Sequence, residues 1–133
     1  MYRVTIEIDF CYGHRLLEYQ GRCAHPHGHN GRVQIDVCAE ALDRRGMVVD
    51  FGEIKSAVRK WMEAHLDHRM ILRKDDPLVG SLEGLGEPFF PMEVNPTAEG
   101  LAKLIFDGTT ALGFPVAEVR FWETPASCAT YRP

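Results

Sequence analysis

The sequence predicts an α+β fold in which two strands, two helices and two further strands follow one another (ββααββ). Three observations carry that expectation: alternation of polar and apolar residues at the start of the chain, a second alternating run over 31–41, and two capped segments with apolar residues at helical spacing. With 133 residues, 45% of them apolar and 26% charged, the chain 1–133 is expected to be a single domain that needs no disulfide staples.

The first strand runs from Tyr2 to Phe10, with Tyr2, Val4, Ile6, Ile8 and Phe10 on one face and Arg3, Thr5, Glu7 and Asp9 on the other. Residues 31–41 repeat the pattern with Val33, Ile35, Val37 and Ala39. The stretch between them, 11–26, is rich in Gly, Cys and His and reads as a functional loop. Asp50 and Glu53 mark a helix start, and Phe51, Ile54, Val58 and Trp61 form its apolar stripe. A second helix follows Asn95-Pro96-Thr97, where either Asn95 or Thr97 can cap, with Leu101, Leu104, Ile105 and Leu112 turned inward. Residues 73–94, broken by Asp75-Asp76-Pro77, several glycines, Pro88 and Pro91, are expected to form a loop with at most a short helical turn. Val116–Glu123 and Ser127–Tyr131 read as the last two strands around a Thr124-Pro125 turn.

Cys23-Ala24-His25-Pro26-His27-Gly28-His29 places histidines at alternate positions, and alternate side chains of extended backbone share a face. His27 and His29 have the parity of Val33 and Ile35, and antiparallel pairing of the first two strands would bring His14 beside them. Three imidazoles suit zinc with one coordination position left open, as in catalytic sites. His25 and His65 read as ordinary loop and packing residues. Cys23 lies four residues before His27, within reach of a metal-bound substrate, and a thiol near a cation is readily ionised. Cys38 and Cys128 read as small buried apolar residues, and Cys11 is left open. The Asp67-His68 pair, taken alone, reads as structural rather than catalytic. Glu123 shares the parity of Val119 and Phe121, so its carboxylate needs a partner: a guanidine-like ligand edge, a protein arginine or backbone amides fit equally.

The net charge of -4 and the scattered arginines argue against nucleic-acid binding. The four cysteines form no C-x-x-C pair, and no stretch has the length and apolarity of a membrane span or signal segment. The expectation is a cytoplasmic protein with reduced thiols.

Taken together, Phe10 through His14-Arg15-Leu16, Cys23 with His27-Gly28-His29, Gly46 through Phe51, Leu66-Asp67-His68, Asn95-Pro96-Thr97-Ala98-Glu99 and Glu123-Thr124 resemble, in order, the pattern of the 6-pyruvoyl and 6-carboxy-tetrahydropterin synthases. The resemblance implies the tunnelling fold (T-fold): four antiparallel strands with two helices on one face, and subunits joined into a barrel as a homohexamer, a dimer of trimers. It implies zinc on His14, His27 and His29, Cys23 as proton acceptor, Asp67 and His68 as a relay, Glu123 as pterin anchor, and Thr97 and Glu99 near the pterin. Two departures stand out: Cys11-Tyr12-Gly13 replaces the small residues of many members, and 73–94 is longer than in the shortest members. Cys23 also sets the chain apart from a subgroup with Glu there that feeds folate synthesis.

The substrate so implied is a pterin triphosphate, 7,8-dihydroneopterin triphosphate. Side-chain cleavage with release of acetaldehyde and triphosphate gives 6-carboxy-5,6,7,8-tetrahydropterin, the route to queuosine, and similarity to short bacterial members favours this product. Retention of the side chain gives the 6-pyruvoyl compound. A zinc hydrolase would also use an open three-histidine site but would not need Glu123, and a non-catalytic pterin-binding module would not need Cys23.

Overall fold

The computed structural model describes residues 1–133, which form six strands and three helices: β1 (Tyr2–His14), β2 (His27–Ala39), α1 (Phe51–His65), β3 (Arg69–Arg73), α2 (Pro77–Leu85), β4 (Phe89–Met92), α3 (Ala98–Ala111), β5 (Val116–Thr124) and β6 (Ser127–Tyr131). One sheet holds all six strands in the order β4-β3-β1-β2-β5-β6. The expected four antiparallel strands and two helices are therefore too few. The four long-range strands pair antiparallel as expected, but β3 pairs parallel to both β1 and β4. Segment 73–94 is not a loop: Asp76 accepts from Leu78 N–H to cap α2, Pro77 occupies its first turn, and left-handed Gly86 (φ 70°) ends it before β4.

β1 and β2 are the frame of the molecule, paired from Tyr2↔Ala39 to His14↔His27 without a break. β1 thus continues four residues beyond Phe10 and β2 starts four residues before Gly31, so the loop proper shrinks to 15–26, with one 3₁₀ turn at Arg22–Ala24. Extended pairing makes side-chain parity continuous to the strand ends. The inner face carries Ile6, Ile8, Phe10, Val33, Ile35, Val37, Val119 and Phe121, all buried. α1 and α3 cover it with Ile54, Val58, Met62, Leu101 and Ile105, each 1% exposed or less. Burying each such side chain contributes about 1.5–3 kcal/mol. Gly108 lets α3 approach α1, because a Cβ there would collide with the Trp61 indole. Phe51 and Leu112, expected in the apolar stripes, are exposed at the helix ends.

The outer face is polar and laced across strands. Asp36 accepts from Arg3 and Thr5, Gln34 donates to Glu7, Arg32 donates to Asp9, and the Trp122 indole donates to Gln34. No helix is long and apolar enough to cross a membrane.

Candidate metal centre and active-site cavity

The inner face ends in a cluster of rings at the point where β1 stops and β2 begins. Pairing of His14 with His27, and of Tyr12 with His29, puts the three histidine side chains together, with ring centroids 4.5–5.1 Å apart. Glu123 reaches the same point from a bulge in β5, where Trp122 pairs with Cys128 and Thr124 with Ser127; a bulge re-aims a side chain locally. Ligand atoms of His14, His27, His29 and Glu123 all lie within 4.8 Å of one another.

Hydrogen bonds outside the cluster decide how the imidazoles face it. His14 Nδ1–H donates to the Pro96 carbonyl (2.7 Å) and His27 Nδ1–H to the His25 carbonyl (2.7 Å). A carbonyl can only accept, so in the neutral rings both Nε2 atoms carry lone pairs turned inward. These two atoms lie 3.0 Å apart, a separation that lone pairs tolerate only with a cation or a proton between them. Burial holds His14 below the usual histidine range, against the opposing pull of Pro96 and Glu123. His29 Nε2 is buried 2.8 Å from Glu123 Oε1 without the alignment of a hydrogen bond. Inward lone pairs, a neutral buried imidazole and an unsatisfied third nitrogen fit a metal ion. Glu123 was expected to anchor a ligand; its position also offers a fourth ligand, a carboxylate oxygen beside the three imidazole nitrogens.

Tyr12 forms the floor, edge-on to His14 at 5.1 Å and tilted against His29 at 5.8 Å. Its hydroxyl is buried without a partner, and burial keeps the phenol protonated. Gly31 makes the room: a Cβ there would lie 2.8 Å from the Phe121 ring and 3.2 Å from that of Tyr12.

A cavity of about 240 Å³ opens beside the cluster at His14 and Glu123, lined also by Cys23, Thr97 and Glu99 among others. Thr97 also caps α3 through Gly100 N–H. Asn95, the other capping candidate, instead clamps the loop after His14. Leu17 N–H donates to its Oδ1 (3.0 Å) and its Nδ2 donates to the Leu17 carbonyl (2.8 Å). Arg15 forks onto the buried carboxylate of Asp76 at the start of α2, with Nε–Oδ2 at 2.8 Å and a second bond from Nη2 to Oδ1. The sequence pattern did not single out Arg15, Asp76 or the Pro96 carbonyl, since their partners are 61 and 82 residues away in the chain.

Asp67 and His68 do not join this cavity. Cys11 has odd parity in β1 and lies on the outer face, and the pair is fastened to it there: Cys11 N–H donates to Asp67 Oδ1 (3.1 Å) and His68 N–H to the Cys11 carbonyl (2.8 Å). Asp67 Oδ2 is 3.0 Å from His68 Nδ1. The larger cavities lined by His68 share no residue with the one lined by Cys23. His25 is exposed and outside the cluster, and His65 donates to the Trp61 carbonyl within α1. Cys38 is half-buried, but Cys128, expected to be buried, is exposed.

Comparison with known proteins gives one answer. The family model described as 6-pyruvoyl tetrahydropterin synthase matches residues 3–133. A 6-carboxy-5,6,7,8-tetrahydropterin synthase of Rickettsia conorii is 36% identical over 132 residues, covering 94% of this chain and 96% of the relative. A crystal structure of an uncharacterized protein from Wolinella succinogenes superposes with a TM-score of 0.78 at 29% identity, covering 98% and 97% of the two chains. The 6-pyruvoyl tetrahydropterin synthase of Caenorhabditis elegans has the same fold, with a TM-score of 0.71 at 24% identity over 100% and 97% of the chains. With strand ends that converge on a histidine cluster, and with relatives matching along nearly its whole length, the chain belongs to the 6-pyruvoyl tetrahydropterin synthase family.

Proposed function

We propose that the chain, acting as one catalytic domain in the cytoplasm, is a zinc-dependent lyase. It converts 7,8-dihydroneopterin triphosphate and water to 6-carboxy-5,6,7,8-tetrahydropterin, acetaldehyde and triphosphate. The observation that supports this reading is the cavity in which Cys23, Thr97 and Glu99 share a lining with His14 and Glu123, two members of the cluster that could hold a metal. The name of the Rickettsia conorii relative supports the carboxy product.

His14, His27 and His29 would hold the zinc. When bound it supplies a Lewis acid that acidifies the hydroxyls of the substrate side chain. Cys23, as thiolate, removes a proton from that side chain. Glu123 accepts the paired donors of the pterin edge and fixes the ring against Cys23, with Thr97 and Glu99 bounding the cavity. His68, oriented by Asp67, accepts or returns protons.

Because Asp67 and His68 lie on the opposite face of the sheet from Cys23, the relay reaches the cavity only from a neighbouring copy. The sheet has edges suited to such assembly. β4 carries Pro91, which blunts an edge, whereas β6 offers a five-residue edge with nothing paired to it. A hexamer built of two trimers is the proposed state.

Incubation with dihydroneopterin triphosphate and mass analysis of every product tests the function. The 6-carboxy compound with acetaldehyde and triphosphate is expected. The 6-pyruvoyl compound without acetaldehyde would assign the alternative product, and triphosphate hydrolysis with an unaltered pterin would refute the lyase reading.

A further inference from the structure

We propose that Cys11, Asp67 and His68 form a second divalent-metal site, on the outer face of the sheet, for a borderline-soft cation such as zinc. Their sulfur, oxygen and nitrogen ligand atoms all lie within 4.8 Å of one another. Thiolate, carboxylate and imidazole are the three side-chain groups that zinc takes. Two charges from the thiolate and carboxylate match those of the cation, and a water completes the fourth position.

The backbone is built to hold these groups together. Cys11 contributes both of its main-chain groups, its N–H to Asp67 Oδ1 and its carbonyl to His68 N–H, so residues 67 and 68 are clamped onto the residue that supplies the sulfur. His68 adopts a left-handed conformation (φ 58°), uncommon for a residue with a Cβ. Backbone of this kind persists where its surroundings impose it, and it concentrates at functional positions. Asp67 Oδ1 is occupied by the Cys11 amide, which leaves Oδ2 for a ligand, facing His68 Nδ1 at 3.0 Å. The cation takes the place of the proton between these two atoms, and the Cys11 thiol gives up its own proton to solvent. Zinc needs ligand atoms about 3.3–3.8 Å apart, given its bond lengths. His68 supplies the adjustment, since its side chain is 79% exposed in the single chain, while that of Asp67 is 24% exposed.

This site differs from the histidine cluster in a readable way. The inner cluster groups three nitrogens and a carboxylate without sulfur, whereas the outer one contains a thiolate. With three ligands near the surface it fills after the inner cluster. A consequence rests on the relay reading above: His68 ligated to metal cannot move protons, so metal beyond one equivalent slows turnover.

Titration of metal-free protein with cobalt(II) tests the site, because thiolate ligation gives a strong near-ultraviolet charge-transfer band that nitrogen and oxygen ligands lack. The expected result is a sulfur band that develops after the first equivalent, vanishes in Cys11→Ser and persists in Cys23→Ala. Independently, zinc beyond one equivalent should slow iodoacetamide labelling of Cys11 in the unaltered protein by about tenfold or more, since a ligated thiolate is masked. Absence of a second-equivalent sulfur band, its persistence in Cys11→Ser, or unprotected Cys11 would each overturn the site. Turnover is read as the rate at two equivalents of zinc over that at one, each protein against itself. A sulfur band with an unchanged ratio would uphold the site and refute the relay role of His68.

Discussion

Replacing Asn95 by Ala isolates how far the metal cluster depends on the segment that leads into α3. The side chain makes two hydrogen bonds to the backbone of Leu17, three residues beyond His14, and the next residue, Pro96, supplies the carbonyl that orients the His14 ring. Each bond is worth about 0.5–1.5 kcal/mol net, so Asn95→Ala should cost about 1–3 kcal/mol. For a chain of this size that lowers Tm by roughly 4–11 °C. Once the loop is released, the end of β1 frays and His14 spends less time with its Nε2 aimed at the cluster. Loss of such outer support weakens metal binding by about 10- to 100-fold. Chelator competition on the purified protein reads the affinity, and melting of the metal-free form reads the fold. Asn95→Asp keeps the acceptor for Leu17 N–H but sets a carboxylate against the Leu17 carbonyl, and should fall between wild type and Ala. A lowered Tm with unchanged metal affinity would refute the coupling between clamp and cluster.

Three further outcomes are expected. Glu123→Gln should weaken pterin binding by about 30- to 1000-fold in a fluorescence titration, the loss of a charged bidentate acceptor; if the main loss is of metal instead, Glu123 is the fourth ligand its 2.8 Å approach to His29 allows. Cys23 should react with iodoacetamide faster than Cys128 although Cys128 is exposed and Cys23 half-buried, and peptide mapping that ranked Cys23 slower would remove it as the base. Arg15, with help from Leu78 N–H, holds the Asp76 carboxyl below the usual carboxylate range; its stabilisation is therefore full above the unfolded pKa of about 4 and is lost as pH falls through the lower folded value. Denaturant unfolding of Asp76→Asn should accordingly show a shallower decline below about pH 4 than wild type, and parallel acid limbs would show that Asp76 is not the group titrating.

How much could be read beforehand depended on whether a feature was local. Alternation in β1 and β2 gave the inner face, and the parity of His27 and His29 placed them on it correctly. The position of His14 followed from hairpin geometry alone. β3 and β4 were missed because neither alternates: the consecutive Ile71 and Leu72 of β3 are both fully buried, and Pro91 interrupts the four residues of β4. Asp76-Pro77 was a legible helix start, but the surrounding glycines obscured it. Phe51 and Leu112 satisfy helical spacing, yet spacing is blind to where a helix outruns the sheet beneath it. That Asp67 and His68 sit behind the sheet followed from a parallel pairing of β3 with β1, a contact that the local pattern does not encode.

Within β1, residues 10–14 alternate between two chemistries one residue apart: Phe10, Tyr12 and His14 serve the buried side, while Cys11 serves the other. Such a strand tolerates exchange of side chains but not a change of length. One residue gained or lost between Cys11 and His14 would rotate the imidazole to the wrong side, and no later adjustment in β2 could restore both sides at once. Over a lineage this stretch can diversify only by substitution, and insertions and deletions must accumulate instead in the turns at 15–26 and around α2. A library built to retune the cavity should follow the same division, randomising identities in β1 and lengths elsewhere.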